Sequence, residues 1–331
     1  GDFVMLAGYP GTTYRHRTAA EFADQVQWRL PKSVEVMKQL QGVIEDAGRA
    51  DKQAAIRYAS QLQSLKNGIK RFSGELDGLK RSDAVEIRRK DEDAMLAWLG
   101  KQPQARTLRP DIDTVAKLIA NGNANRERDL LFAILQSQTQ LLRSALTLQR
   151  FAHERAKPDA DRETGYQQRD EELTAGMLKQ VQRRYDAAVE KRLLTALLAR
   201  YQQLPDPQRV PEFDAAFGRT PAELAGALDR VYGATQLGEE AQRLHWLKAA
   251  PDEAARSDDA LLKLAATLQP ALLRIEDQRK ERDGELLRLR PAYMQALTAY
   301  NQSQGRAIYP DANSTLRVSY GRITPMSPRD G

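Results

Sequence analysis

The side chains best suited to moving protons or holding a metal are three histidines, His16, His153 and His245. They fall in three separate predicted elements, and none has a partner at metal-ligand spacing. His153 follows Phe151 at the end of a long helical pattern, where a helix C-terminus favours positive charge, and His245 sits beside Trp246 on an amphipathic stretch. All three read as structural. Serine chemistry has no better footing, because no Gly-x-Ser-x-Gly elbow and no Gly-Asn-Ser-Gly turn is present to activate a hydroxyl. Gly8-Tyr9-Pro10-Gly11 lacks the lysine and the spacing of a phosphate loop. Zero cysteines exclude disulfides and thiolate metal sites. On these residues no catalytic side chain, metal or cofactor is assigned.

Charge and hydropathy narrow the class further. The chain has 331 residues, 41% hydrophobic and 29% charged, enough to bury a real core. Lys and Arg total 51 against 45 Asp and Glu, a net +6, which raises the question of nucleic acid. Opposite charges are interleaved, however, as in Glu86-Ile87-Arg88-Arg89-Lys90-Asp91-Glu92-Asp93, so they read as a solvated face with local ion pairs and not as a basic stripe. No nucleic-acid partner is expected. No apolar run approaches the roughly 18 residues that span a bilayer, so no membrane partner is expected either, and no signal peptide stands at Gly1. A chain that opens inside a strand pattern reads as a fragment, and the lack of cysteines is compatible with the cytoplasm or the periplasm.

The elements divide into two kinds. Phe3, Val4, Met5 and Leu6 form an apolar run stopped by the Gly8-Tyr9-Pro10-Gly11 turn, while Leu316, Val318 and Tyr320 alternate with Arg317 and Ser319 as a half-buried strand does. Between these ends the pattern is helical. Thr18-Ala19-Ala20-Glu21 has capping-box spacing, so the first helix begins there. Pro31 begins a second segment that ends at Asp46-Ala47-Gly48, and a third runs from about Asp51 towards Leu79 with Ile56, Leu62, Leu65, Ile69, Phe72 and Leu76 on one face. Ser82-Asp83 caps a fourth, to about Leu99. Lys101 to Pro110 reads as a connection and Asp111 as the start of a short helix. Leu130 to Leu148 then predicts one helix. Asp161 to Leu204 predicts another, a strut on the order of 65 Å if continuous. Thr220-Pro221-Ala222-Glu223 restarts a helix after Pro205, Pro207 and Pro211, and Asp258 to Asn301 is helical again. The fold class expected is therefore mainly α, a multi-helix insertion with short β segments at both ends.

The segment Gly1 to Glu21, with its Gly8-Tyr9-Pro10-Gly11-Thr12-Thr13, resembles part of the bacterial dipeptidyl-peptidase 7 and 11 family. So does the other end, in Tyr309-Pro310-Asp311-Ala312-Asn313-Ser314-Thr315-Leu316-Arg317, in Tyr320-Gly321 and in Ser327-Pro328-Arg329-Asp330-Gly331. The resemblance runs in order along the whole chain, strongly at its ends and loosely in its helices. It implies a serine exopeptidase with a chymotrypsin-like double β-barrel, and a large helical domain inserted between the catalytic aspartate and serine. Residues 1–17 and 305–331 would be barrel segments and residues 18–304 the helical lid. The family's catalytic histidine and aspartate would then lie upstream of Gly1 and its serine downstream of Gly331, leaving this chain inactive alone. Asp2 stands in a Gly-Asp-Phe like the one around the family's catalytic aspartate, but it runs straight into Val-Met-Leu-Ala-Gly-Tyr-Pro-Gly, so no catalytic role is given to it.

Within Ser64-Leu65-Lys66-Asn67-Gly68-Ile69-Lys70-Arg71-Phe72-Ser73-Gly74-Glu75, Asn67 matches the asparagine with which the family helps hold the free α-amino group of a peptide. An ammonium has three donors and needs carbonyl and carboxylate acceptors at a fixed distance from the nucleophile, so that the second peptide bond reaches it. The alternative is that Asn67-Gly68 marks a weak spot in a helix, glycine costing about 1 kcal/mol there relative to alanine. The resemblance also implies peptide substrates with a free N-terminus, the rest of the peptidase barrel as partner, a possible homodimer, and a periplasmic or secreted location. A non-enzymatic helical adaptor binding partner proteins is the rival reading.

Overall fold

A computed structural model describes residues 1–325, so the Ser327–Gly331 stretch of the resemblance lies outside the described residues. Strand β1 (Phe3–Gly8) is followed by helices α1 (Ala19–Asp24), α2 (Leu30–Ala50), α3 (Lys52–Arg81), α4 (Ala84–Leu99) and α5 (Ala105–Asn123). Next come α6 (Arg126–Gln138), α7 (Leu141–Arg155), α8 (Glu171–Arg184), α9 (Ala187–Gln202) and α10 (Pro211–Phe217). The order closes with α11 (Pro221–Gly233), α12 (Glu240–Lys248), α13 (Pro251–Ala255), α14 (Ala260–Ser303) and strand β2 (Arg317–Arg322). A π-helical turn, Gln25–Arg29, lies between α1 and α2. The mainly helical class with strands at both ends is thus observed.

The chain divides into two units. The first comprises residues 1–24, 83–116 and 288–331. In it β1 and β2 pair antiparallel, with Met5 opposite Tyr320 and Ala7 opposite Val318. The ends therefore meet, as a helical insertion between two strands of one sheet requires. Beyond the ribbon, the two motif-bearing loops are sewn together. Thr13 donates its hydroxyl to Asp311 Oδ1 at 2.8 Å and accepts the Ala312 N–H at 2.8 Å, and the Arg15 N–H donates to the same carboxylate at 2.7 Å. The capping box at Thr18 forms as expected, Glu21 accepting the Thr18 N–H at 2.9 Å and also the Arg290 guanidinium at 2.7 Å. Met95, Leu99, Ile112, Ala292, Tyr293 and Ala296 make a small core, and Glu92 accepts both the Ala19 N–H and the Tyr293 hydroxyl beside it.

The second unit comprises residues 25–82 and 117–287 and holds the main core. Helices α2 and α3 pack along each other from the Asp51 junction, where Asp51 caps α3 by accepting from Gln53 and Ala54 N–H groups. A Cβ on Gly48 would stand 3.1 Å from Ala55 Cβ, so glycine permits the close approach. Phe132 stacks on Phe213 with centroids 4.3 Å apart, and Tyr201 closes the α9–α10 connection by accepting the Val210 N–H at 2.7 Å.

Several expected boundaries are overturned. The helix predicted over Leu130 to Leu148 is two, broken at Thr139 and Gln140, because the buried Glu190 carboxylate accepts the N–H groups of Gln140, Leu141 and Leu142 and starts α7 there. The strut predicted over Asp161 to Leu204 is also two helices. Asp186 adopts an extended conformation and accepts from the N–H groups of Ala188 and Val189, capping α9. The longest helix is instead α14, 44 residues, which absorbs Pro270 and Pro291. Helix α5 starts at Ala105, ahead of Pro110, and carries that proline inside it. The face proposed for α3 is only partly right: Leu65 and Leu76 are buried, Ile56 is exposed, and Ala54 and Tyr58 complete the stripe. Asp83 stands at the N-cap of α4 with left-handed backbone (φ 47°) and makes no side-chain cap.

Candidate functional site

Asn67 lies past the midpoint of α3, which passes through it unbroken from Lys52 to Arg81. Its side chain is exposed, and Oδ1 accepts from Gln63 Nε2 one turn earlier at 2.9 Å. A carbonyl oxygen has two lone pairs, so one remains for an incoming ammonium. The neighbouring glycine has a packing reason. A Cβ on Gly68 would stand 3.0 Å from the flexible Met37 Sδ on α2, and α3 runs through Gly68 without a break.

The electrostatics around Asn67 are informative. Lys66, Lys70 and Arg71 flank it in sequence, with Lys66 bound to Glu45 at 2.9 Å and Arg71 over the Phe72 ring at 4.5 Å. That local excess of positive charge repels an ammonium, so a clamp built on Asn67 needs carboxylates supplied from outside this stretch of α3. Next to it, Met37, Leu65, Gly68, Phe72 and Ile134 line a cleft of about 240 Å³.

The other residues singled out from sequence are dispersed into separate local roles. His16 Nε2 is 2.8 Å from the Tyr309 carbonyl in the sewn loops. His153 is exposed in the last turn of α7, and His245 pairs with Glu253 at 3.1 Å with its ring against Trp246. Among the described residues no group of three or more His, Cys, Asp or Glu could hold a metal ion. The Asp2 carbonyl accepts the Ile323 N–H at 2.9 Å, a main-chain role that continues the ribbon.

In the loops, burial pushes Asp311 up, but hydrogen bonds from the Arg15 N–H and the Thr13 hydroxyl outweigh it and hold the carboxyl below its ordinary value. The ribbon itself is bare. Phe3, Met5 and Tyr320 on one face are 60%, 66% and 78% exposed, and Leu6 on the other is 76% exposed. A two-stranded ribbon apolar on both faces is marginal by itself and calls for covering layers on each side. Three buried charges escaped sequence reading altogether. Glu154 is paired with Arg150 and Lys157, Glu190 is wholly buried, and the buried Arg243 donates to the carbonyls of Leu178, Leu237 and Gly238 with no carboxylate at ion-pair distance among the described residues. Their only sequence signal is a charged residue on an apolar face.

A helical insertion between two paired strands, with motif loops joined at its base, is the architecture these observations define. The family model of Peptidase S46 matches residues 1–331, and the chain belongs to that family. It is 34% identical over 333 residues to an Asp/Glu-specific dipeptidyl-peptidase of Shewanella putrefaciens, covering 100% of this chain and 45% of that relative. With a dipeptidyl-peptidase 7 of Porphyromonas gingivalis the identity is 25%, again over 100% of this chain and 45% of the relative. The chain thus spans somewhat less than half the length of these curated relatives. Among solved structures, that of Porphyromonas endodontalis DPP11 in complex with the dipeptide Arg-Glu superposes with a TM-score of 0.67 at 24% identity, over 99% of this chain and 46% of that one, which establishes a shared fold. No described helix is long and apolar enough to cross a membrane.

Proposed function

We propose that this chain is the helical lid and part of the substrate clamp of a serine-type dipeptidyl-peptidase, which releases dipeptides from the free N-terminus of peptides. Residues 1–17 and 305–331 belong to the β-barrel that carries the catalytic serine, histidine and aspartate, and residues 18–304 form the lid. The observation that supports this reading is the ribbon: its two paired strands are apolar and exposed on both faces, as strands of a barrel completed by further chain would be. Family membership favours it over a non-enzymatic adaptor. Without the barrel the chain is inactive. The peptidase works in the periplasm or outside the cell, and a homodimer is one assembly that the family resemblance allows.

In this reading Asn67 Oδ1 accepts from the substrate ammonium, with carboxylates from the barrel supplying the compensating charge. The test is Asn67→Ala in the complete protein. Because Asn67 is exposed and bonded only to Gln63, folding should be intact. Loss of a hydrogen bond to a charged group, about 1.5 to 3 kcal/mol, should lower kcat/KM on free peptides roughly tenfold or more, and should narrow the preference for free over N-acetylated peptides. Equal kcat/KM for mutant and parent on free peptides would return Asn67 to a surface role.

A further inference from the structure

In the second unit a cleft of about 480 Å³ opens between α6, α7 and the N-terminal half of α14. Its floor is apolar, formed by Phe132, Leu146, Leu272 and Ile275, and its rim carries Arg143, Arg150 and Arg279. The charges of this rim are unevenly matched. The two carboxylates in the lining are already held, Asp129 by Arg128 at 2.8 Å and Glu276 by Arg150 at 3.2 Å and Lys280 at 2.7 Å. Arg150 is further committed to Glu154 at 2.8 Å. Arg279 makes no hydrogen bond or close ion pair among the described residues and acts on Glu276, which Arg150 and Lys280 already hold, only through its charge. The hydrogen-bond partner of Arg143 is a neutral amide oxygen, Gln140 Oε1, at the long distance of 3.5 Å, and the buried Glu190, already held by three amides, acts on it only through its charge. A third donor is stranded beside them: Gln269 Nε2, also in the lining, is buried with no partner. A buried donor left unmade is costly, and an acceptor delivered into the cleft would relieve it.

We infer that this cleft binds a small amphipathic monocarboxylate of about dipeptide size, its carboxylate on Arg143 and Arg279 and its apolar body on the Phe132–Leu272 floor. The surplus is of donors, which selects an anion; guanidinium forks match a carboxylate in two parallel hydrogen bonds. Four apolar side chains beneath them select a ligand with a hydrocarbon body over a bare inorganic anion, and the volume is that of an ordinary small-molecule site. The Asp129 and Glu276 side chains on the same wall disfavour a more highly charged ligand. The site lies wholly within the second unit and stands independently of the role proposed for Asn67.

The test is isothermal titration calorimetry on the protein with its complete natural sequence, using N-acetylphenylalanine, its uncharged amide and inorganic phosphate as probes. Arg279→Gln serves as the main variant, since that side chain anchors nothing, with Arg143→Gln as the second; an unchanged Tm verifies that each is folded. The acid should bind about tenfold or more tightly than the amide, and each variant should weaken the acid about fivefold or more while leaving the amide unaffected. Binding of the acid that is equal to that of the amide, or unchanged in both folded variants, overturns the proposal. So does phosphate binding as tightly as the acid with the same arginine dependence, or an absence of any arginine-dependent heat up to about 10 mM acid.

Discussion

Removing the Glu190 carboxylate should strongly destabilise the helical unit. The side chain is 0% exposed, and it accepts from Gln140 N at 2.6 Å, Leu141 N at 2.9 Å, Leu142 N at 3.0 Å and the Tyr232 hydroxyl at 2.7 Å. The three amides are among the first N–H groups of α7, which have no partner within their own helix. Glu190→Ala strands all four donors in a dry core and opens a cavity. At about 1 to 3 kcal/mol for each stranded donor, offset by no longer burying a charge, the net loss should be about 3 to 5 kcal/mol. Urea unfolding followed by far-UV circular dichroism measures the total, and hydrogen exchange at the Leu141 and Leu142 amides reads the cap locally. Burial pushes the Glu190 carboxyl up, against the pull of the Tyr232 hydroxyl and the three amides, and the net direction is upward. The native state then binds more protons than the unfolded one between the unfolded value, about 4.3, and the raised folded value. Its contribution is therefore greatest below about pH 4.3 and falls as pH rises to the folded pKa, and Glu190→Gln should remove that slope. An alanine variant within about 1 kcal/mol of the parent, with the α7 amides still protected, would refute the capping argument.

Asp311→Ala should loosen the sewn loops by about 1.5 to 3 kcal/mol at neutral pH, through loss of its bonds to Thr13 and Arg15, as read from the exchange of the Arg15 amide. Since the Asp311 pKa is lowered, its contribution is present above the unfolded value of about 3.9 and lost as pH falls through the folded one, so the gap between parent and variant should close in acid. Gly218→Ala should cost about 1 to 3 kcal/mol in thermal unfolding, because Gly218 holds φ 71° and a Cβ there would meet Glu223 Cβ at 2.3 Å, within the box that caps α11. Together with the Asn67 and Arg279 variants, these changes separate the clamp, the cleft and the scaffold.

Local chemistry in the sequence determined where the chain is β and where α. The boxes at Thr18–Glu21 and Thr220–Glu223 are formed as written, because a cap needs only residues three apart, whereas the half-buried strand read from Leu316, Val318 and Tyr320 starts at Arg317 and leaves all three apolar side chains exposed among the described residues. The resemblance carried by the end motifs also held, and the two loops that bear it turn out to bond to each other. What the sequence left open were the breaks at Thr139–Gln140 and at Tyr185–Asp186. Apolar spacing continues across both, and the first break is fixed by Glu190, 50 residues away in the chain. The helix read over Asp258 to Asn301 is observed as α14, running through Pro270 and Pro291, since packing of its apolar stripe outweighs two lost backbone bonds. The sequence named Asn67 only through resemblance, for one exposed asparagine has no pattern of its own. The surplus of guanidinium donors at Arg143 and Arg279 appears in no spacing at all: tertiary structure decided it, by spending the nearby carboxylates on Arg128, Arg150 and Lys280 and leaving these two cations over an apolar floor.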